Sequence, residues 1–207
     1  MKIIAHRGND GIHKENSLEA IINSLNQKYI DGVELDVRLT KDKKLIINHD
    51  PFYNGYYISH TNIIKLQKLG LNTLEEVLSN VNNNKIIMIE VKTSDKEIKQ
   101  MTKTLIKTLN KYQLNYYICS FNYDFLNIFK ESSNFKAGLI ISAQINTKHI
   151  NNNFDFNSVS ILYHKKIPSK ETFRWTVNTQ KELDKINKTE NIITDNPLEL
   201  SKIKPQS

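Results

Sequence analysis

The stretch Gly32-Val33-Glu34-Leu35-Asp36-Val37-Arg38-Leu39-Thr40-Lys41-Asp42-Lys43-Lys44-Leu45-Ile46-Ile47-Asn48-His49-Asp50 decides how this chain folds. Two apolar runs flank a short polar turn, and both carry acids or a histidine where a buried strand would carry Val or Ile. A parallel crossover needs roughly a dozen residues or more, so the two runs pair as an antiparallel hairpin. A loop of Asp42 and Lys43 sets His49 opposite Asp36, with Lys43 at positive φ. Side chains alternate along a strand, so Glu34, Asp36 and His49 are expected on one face. Charge inside such a run marks a site.

Outward from the hairpin, the pattern of a strand that begins apolar and ends in charge repeats. Lys2-Ile3-Ile4-Ala5 runs into His6-Arg7-Gly8, and Ile86-Ile87-Met88-Ile89 runs into Glu90-Val91-Lys92. Between the strands lie helical signatures. Asn16 stands three before Glu19 and is followed by Leu18, Ile21, Ile22 and Leu25 at helical spacing. Thr73-Leu74-Glu75-Glu76 is a capping box, and Ile98, Met101, Leu105, Leu109 and Tyr112 mark a further helix. Further strands are expected at 116–120, 138–141, 159–162, 173–177 and 192–195. Helices are expected around Phe125 to Phe129, over 180–187 and over 197–203.

Strands alternating with helices indicate parallel βαβ units. About eight of them in one domain predict a compact α/β fold, a (β/α)8 TIM-type barrel over residues 1–207, near the short end of that fold's ~200 to more than 400 residues. The run from Leu162 to Phe173 is too short for a full crossover helix, so one outer helix is expected to be reduced. No glycine-rich dinucleotide or P-loop turn is present. Sites in such barrels lie at the C-terminal strand ends, where His6, Arg7, Glu34, Asp36, Glu90 and Lys92 fall.

The bulk composition narrows the field. Hydrophobic residues make up 39% of the chain, and no apolar run reaches the ~20 residues of a membrane span. The first residues enter a strand without an apolar leader region, which points to the cytoplasm. Cys119, the single cysteine, lies in an apolar run and reads as core. The net charge of +7 is carried by lysines scattered along the chain without a long basic block, which argues against nucleic acid as the partner. Peripheral membrane contact stays open, and nothing in the sequence sets the oligomeric state.

Three carboxylates, Glu34, Asp36 and Glu90, aimed into one cavity repel each other unless a cation sits between them. Oxygen ligation without cysteine suits one hard divalent ion, Mg²⁺ or Ca²⁺. Arg7 and Lys92 beside it would hold a phosphate oxyanion, and His6 and His49 would act as base and acid. Cleavage of a phosphodiester follows. The residues do not say which histidine is the base, or whether water or the substrate's own hydroxyl attacks. Trp175 offers a substrate wall or core packing equally. His13, His60, His149 and His164 lack a comparable setting and read as surface or loop. Asp195-Asn196-Pro197 reads as a helix N-cap followed by proline.

Taken together these residues resemble the glycerophosphodiester phosphodiesterase family. The resemblance runs through His6-Arg7-Gly8, Glu15-Asn16-Ser17, Glu34-Leu35-Asp36-Val37, Thr40-Lys41-Asp42, His49-Asp50, Thr73 to Leu78, Glu90-Val91-Lys92, Ser120-Phe121, Trp175-Thr176-Val177-Asn178 and Ile193 to Pro197. It implies a metal-dependent barrel hydrolysing glycerophosphocholine or glycerophosphoethanolamine to glycerol 3-phosphate and an alcohol. The acid/base pair falls on His6 and His49, the metal ligands on Glu34, Asp36 and Glu90, and the phosphate-side cations on Arg7 and Lys92. Lys14 replaces the family's proline, Lys43 its glycine, and the segment from His49 to Thr73 is short. Lysophospholipids or other diesters are the alternative substrates, and a silent phosphate-binding barrel is the alternative without catalysis.

Overall fold

The computed structural model describes residues 1–142, 153–163, 167 and 170–203. In chain order it runs β1 (Ile3–Ala5), α1 (Leu18–Asn26), β2 (Gly32–Leu39), β3 (Leu45–Ile47), β4 (Phe52–Tyr53), β5 (Tyr56–Tyr57), α2 (Ile63–Lys68), α3 (Leu74–Asn80), β6 (Ile86–Val91) and α4 (Ile98–Leu109). There follow β7 (Asn115–Ser120), α5 (Tyr123–Ser132), β8 (Lys136–Ile141), β9 (Phe156–Ser160), β10 (Glu171–Trp175), α6 (Gln180–Leu183), β11 (Asn191–Thr194) and α7 (Pro197–Ile203).

Strands β1, β2 and β6 to β11 pair in parallel, and β1 bonds to both β2 and β11, which closes the expected (β/α)8 barrel without a free edge. Alternation along each strand sorts the side chains into two layers. Val33, Leu35 and Val37 of β2 and Ile87 and Ile89 of β6 pack outward against Ile21, Met101, Leu105 and Phe125 of the helices. The lumen is filled by Ile4, Met88, Tyr117, Cys119, Ile140, Phe156 and Phe173. Gly138 is required there, since a Cβ on it would lie 2.4 Å from the Phe156 ring. Cys119 is buried in this inner layer, as its apolar run implies.

The hairpin forms, but its register differs from the expected one. Val37 pairs with Ile47 and Leu39 with Leu45, while Asn48, not His49, donates its N–H to Asp36 O at 3.1 Å. The cause is the turn. Lys43 does adopt φ +61°, but as the last residue of a three-residue loop in which Thr40 and Lys44 are bonded to each other. One extra loop residue shifts every pairing by one. His49 therefore lies beyond β3, and strand alternation does not decide where its side chain points.

Other boundaries also move. Strands expected at 159–162 and 173–177 are found at Phe156–Ser160 and Glu171–Trp175, and α6 is shorter than expected. The described residues between β9 and β10 include no helix, in line with the short crossover there. His149 and His164 lie outside the described residues. The helix start at Asn16 falls one residue later, because Ser17 Oγ accepts the Ala20 N–H at 3.1 Å and is the cap. The Thr73 capping box is as expected, with Thr73 Oγ1 accepting from Glu76 N at 3.0 Å and Glu76 Oε2 accepting from Thr73 N at 2.7 Å. Thr73→Ala removes the first of these and is expected to lower unfolding free energy by about 1 kcal/mol in urea denaturation; an unchanged midpoint would show that the Thr73 hydroxyl contributes nothing.

Candidate active site

The ladder between β2 and β6 brings the acids together. Asp36 is the register partner of Glu90, and Glu34 sits one alternation back on the same face of β2. One oxygen from each of Glu34, Asp36 and Glu90 lies within 4.8 Å of the others. Burial, and then the negative field of Asp36, pushes the Glu34 pKa up to about 8. Burial likewise raises Glu90, with Lys92 opposing it. Glu34 Oε1 is buried and accepts no hydrogen bond. A buried carboxylate oxygen without a donor, in a cluster that repels itself, is relieved by a bound cation, and an all-oxygen donor set suits a hard divalent ion. These residues fit a metal.

Two cations frame the acids. Lys92 Nζ lies 3.2 Å from Asp36 Oδ1 and in close contact with Glu90 Oε1. Burial alone would lower its pKa, but Glu90 and Asp36 hold it above the usual lysine value. Arg7 follows β1 with φ +53°, a left-handed conformation that is costly for a residue with a side chain. That turn aims its N–H at Glu34 Oε2, at 3.0 Å. Its guanidinium reaches Glu15 at 2.7 Å and Asp36 at 3.4 Å. Asn16, also left-handed at φ +59°, is free of capping and spans Asp36 from both sides. Its Nδ2 donates to Asp36 Oδ2 at 2.9 Å and its Oδ1 accepts from the Asp36 N–H at 3.2 Å.

His6 is held by a residue that the sequence reading assigned elsewhere. Its Nδ1 lies 2.6 Å from Asp195 Oδ1, so Asp195 does not cap α7. Asn178 holds the other Asp195 oxygen at 2.8 Å and accepts the Asp195 N–H at 2.8 Å. His6 Nε2 is thereby turned toward Glu34, 3.9 Å away. Burial alone would lower the His6 pKa, but the Asp195 bond and the charges of Glu34 and Asp195 raise it overall.

His49 reaches the same cavity by a different route. Its carbonyl accepts two hydrogen bonds from Arg38, at 2.9 Å from Nε and 2.6 Å from Nη2. That clamp ties the loop after β3 to β2. His49 Nδ1 meets Asp50 Oδ1 at 2.8 Å. His6, Arg7, Glu34, His49, Glu90 and Lys92 line one cavity of about 290 Å³, with Trp175 on its wall. Trp175 Nε1 is buried without an acceptor, and its ring meets Phe121 edge-on at 6.1 Å. A groove of about 550 Å³ adjoins the cavity through Glu90, Lys92 and Phe121.

All eight predicted site residues therefore line or flank one mouth. His13 and His60 stay outside it. His13 does have an acidic neighbour, Asp10 Oδ2 at 2.5 Å, in an exposed loop, and the His60 ring lies tilted beside Tyr57 at 5.9 Å. No site role was expected for Asp195, Asn178, Asn16 or Arg38. The first three stand inside the quoted family stretches, but their roles show only in space, for Asp195 and Asn178 where β11 closes on β1.

Fold and site define the class: a (β/α)8 enzyme with an acidic centre and flanking cations at its mouth, suited to a small anionic ester. The profile of the glycerophosphoryl diester phosphodiesterase family matches residues 6–199, and the chain belongs to that family of phosphoric diester hydrolases. It is 26% identical over 229 residues to a glycerophosphodiester phosphodiesterase of Caldanaerobacter subterraneus subsp. tengcongensis, covering 94% of each chain. The fold is similar to that of a glycerophosphodiester phosphodiesterase from Thermotoga maritima, with a TM-score of 0.78, 24% identity and 98% and 97% of the two chains covered. An Oleispira antarctica phosphodiesterase, solved with sn-glycerol-3-phosphate as product, is similar at a TM-score of 0.83 and 19% identity, with 98% and 96% covered.

Proposed function

We propose that this chain, as one barrel domain in the cytoplasm, hydrolyses glycerophosphodiesters of the glycerophosphocholine or glycerophosphoethanolamine class to glycerol 3-phosphate and the free alcohol. The observation that carries the reading is the cavity lined by two histidines, two fixed cations, Glu34 and Glu90, with the Asp36 carboxylate clustered against those two acids. Glu34, Asp36 and Glu90 would hold one divalent ion, Mg²⁺ or Ca²⁺. When bound, it supplies Lewis-acid stabilisation to phosphoryl oxygens.

The remaining work falls to the chain's own groups. Arg7 and Lys92 bind and orient the phosphate, and both are already placed by their carboxylates. Trp175 offers its unpaired Nε1–H to a substrate oxygen. His6 and His49 each have Nδ1 committed to an aspartate, so each moves its proton at Nε2. One takes the proton of the attacking hydroxyl, and the other gives a proton to the departing alkoxide. Asp195 fixes the His6 ring and tautomer, and Asn16 holds Asp36.

Asp195→Asn keeps the shape but removes the charge that holds the His6 pKa up. We expect kcat to fall about a hundredfold with KM little changed, and the His6 limb of the pH–rate profile to move to lower pH. An unchanged profile would contradict the role. The substrate reading is tested by comparing release of glycerol 3-phosphate from glycerophosphocholine and glycerophosphoethanolamine with cleavage of lysophosphatidylcholine. Faster turnover of the acylated substrate would overturn it.

A further inference from the structure

The arm formed by β4 and β5 has no part in the chemistry above, and its surface is unusual. Phe52, Tyr57 and Ile64 of α2 are 53%, 60% and 65% exposed, and Tyr56 beside them is also exposed. No Asp or Glu occurs between Asp50 and Glu75. Lysines flank the rings instead. Lys65 Nζ lies 4.9 Å over Tyr56 and Lys14 Nζ 4.4 Å over Tyr53.

The charge continues along the flank of the barrel. A groove of about 470 Å³ is lined by Ile63 and Gln67 of α2, by Lys43 and Lys44 of the hairpin turn, by Lys103 and Lys107 of α4, and by Lys111 just beyond that helix. Spacing of four along α4 puts Lys103 and Lys107 on one face. Glu75 is the one acid lining the groove, and Lys111 takes it at 2.6 Å. Among the described residues, no carboxylate forms an ion pair with Lys43, Lys44, Lys103 or Lys107. Lysines dispersed in sequence are thus gathered by the fold.

We propose that the arm and this lysine groove form a docking surface for an anionic lipid bilayer. Exposed aromatic and aliphatic tips beside lysines that outnumber the acids near them combine shallow apolar insertion with attraction to anionic headgroups. Phe52 and Tyr57 pack edge-on against each other at 6.3 Å, an arrangement for a joint apolar tip rather than separate platforms for stacked bases. The arm also adjoins the catalytic mouth. His49 and Asp50 lead directly into it, and Pro51 and Ile58 at its base line the groove that opens onto Glu90 and Lys92. Docking there sets the mouth at the headgroup layer.

Flotation of the full chain with vesicles tests this. Vesicles of phosphatidylcholine containing phosphatidylglycerol should carry the protein, pure phosphatidylcholine should not, and raised salt should release it. The double variants Phe52→Ser/Tyr57→Ser and Lys103→Glu/Lys107→Glu should each lower partitioning about tenfold or more. Their melting temperatures and their turnover of soluble glycerophosphoethanolamine should match the parent. Vesicle binding and turnover are separate readouts, so an inactive enzyme that still docks would sink the catalytic reading and leave this one standing. The proposal is overturned if the parent chain ignores anionic vesicles, if neutral vesicles carry it equally, or if neither double variant weakens binding. Tight binding of single-stranded RNA without vesicle binding would overturn it too, as would an arm-mediated dimer that does not float.

Discussion

Replacing His6 or His49 by alanine is expected to lower kcat on glycerophosphodiesters by about two to four orders of magnitude, with KM changed far less. Both rings line the cavity that Glu34 and Glu90 also line, and both have Nδ1 held by an aspartate, Asp195 for His6 and Asp50 for His49. In the proposed mechanism each would offer Nε2 to the substrate. Because taking the proton of the attacking hydroxyl and protonating the departing alkoxide serve the same displacement at phosphorus, the double variant should lose little more than the worse single one. Steady-state release of glycerol 3-phosphate measures this. Near-parental kcat in either single variant would remove that histidine from the mechanism.

The second large effect is on stability and metal response. Without a cation, Glu34 holds its proton up to about pH 8 in the fold, against an ordinary value of 4.5. The native state then binds this proton more tightly than the unfolded chain, so the contribution is fully present below about pH 4.5 and is lost as pH rises through about 8. A divalent ion takes the proton's place and competes best once the proton has left. The rise in melting temperature on adding Mg²⁺ or Ca²⁺ should therefore widen steadily from pH 5 to pH 8. Glu34→Gln should flatten the pH dependence of the metal-free protein and abolish the cation response. A metal-free melting temperature that is level across this range, with no rise on adding either ion, would contradict the assignment.

What the sequence reveals and what it conceals divides along local and non-local lines. Glu34, Asp36 and Glu90 are legible because a strand alternates every second residue, and acids in phase with a lumen position stand out against Ile and Val. The closed barrel follows from the repetition of strand and helix. The 36-to-49 register failed because the turn holds three residues, 41–43, and not two, a difference that no hydrophobic pattern records; Lys43 is left-handed in either loop. His49 still reaches the cavity, but through the Arg38 clamp on its carbonyl rather than through the ladder. Asp195 was misread because an aspartate two residues before a helix-initiating proline has a plausible local partner. Its actual partner, His6, is almost the whole chain away and meets it only where β11 closes on β1. Asn16 was misread in the same way, since Asn followed three residues later by Glu imitates a cap, and Ser17 supplies the real one.

The most direct test of the account is add-back of metal to the chelated enzyme, followed by release of glycerol 3-phosphate from glycerophosphoethanolamine. No turnover is expected after chelation, with recovery on adding Mg²⁺ or Ca²⁺ and no recovery in Glu34→Gln or Asp36→Asn. Full turnover in the chelated parent, or recovery in those variants equal to the parent, would show that the three carboxylates at the barrel mouth are not its catalytic metal centre.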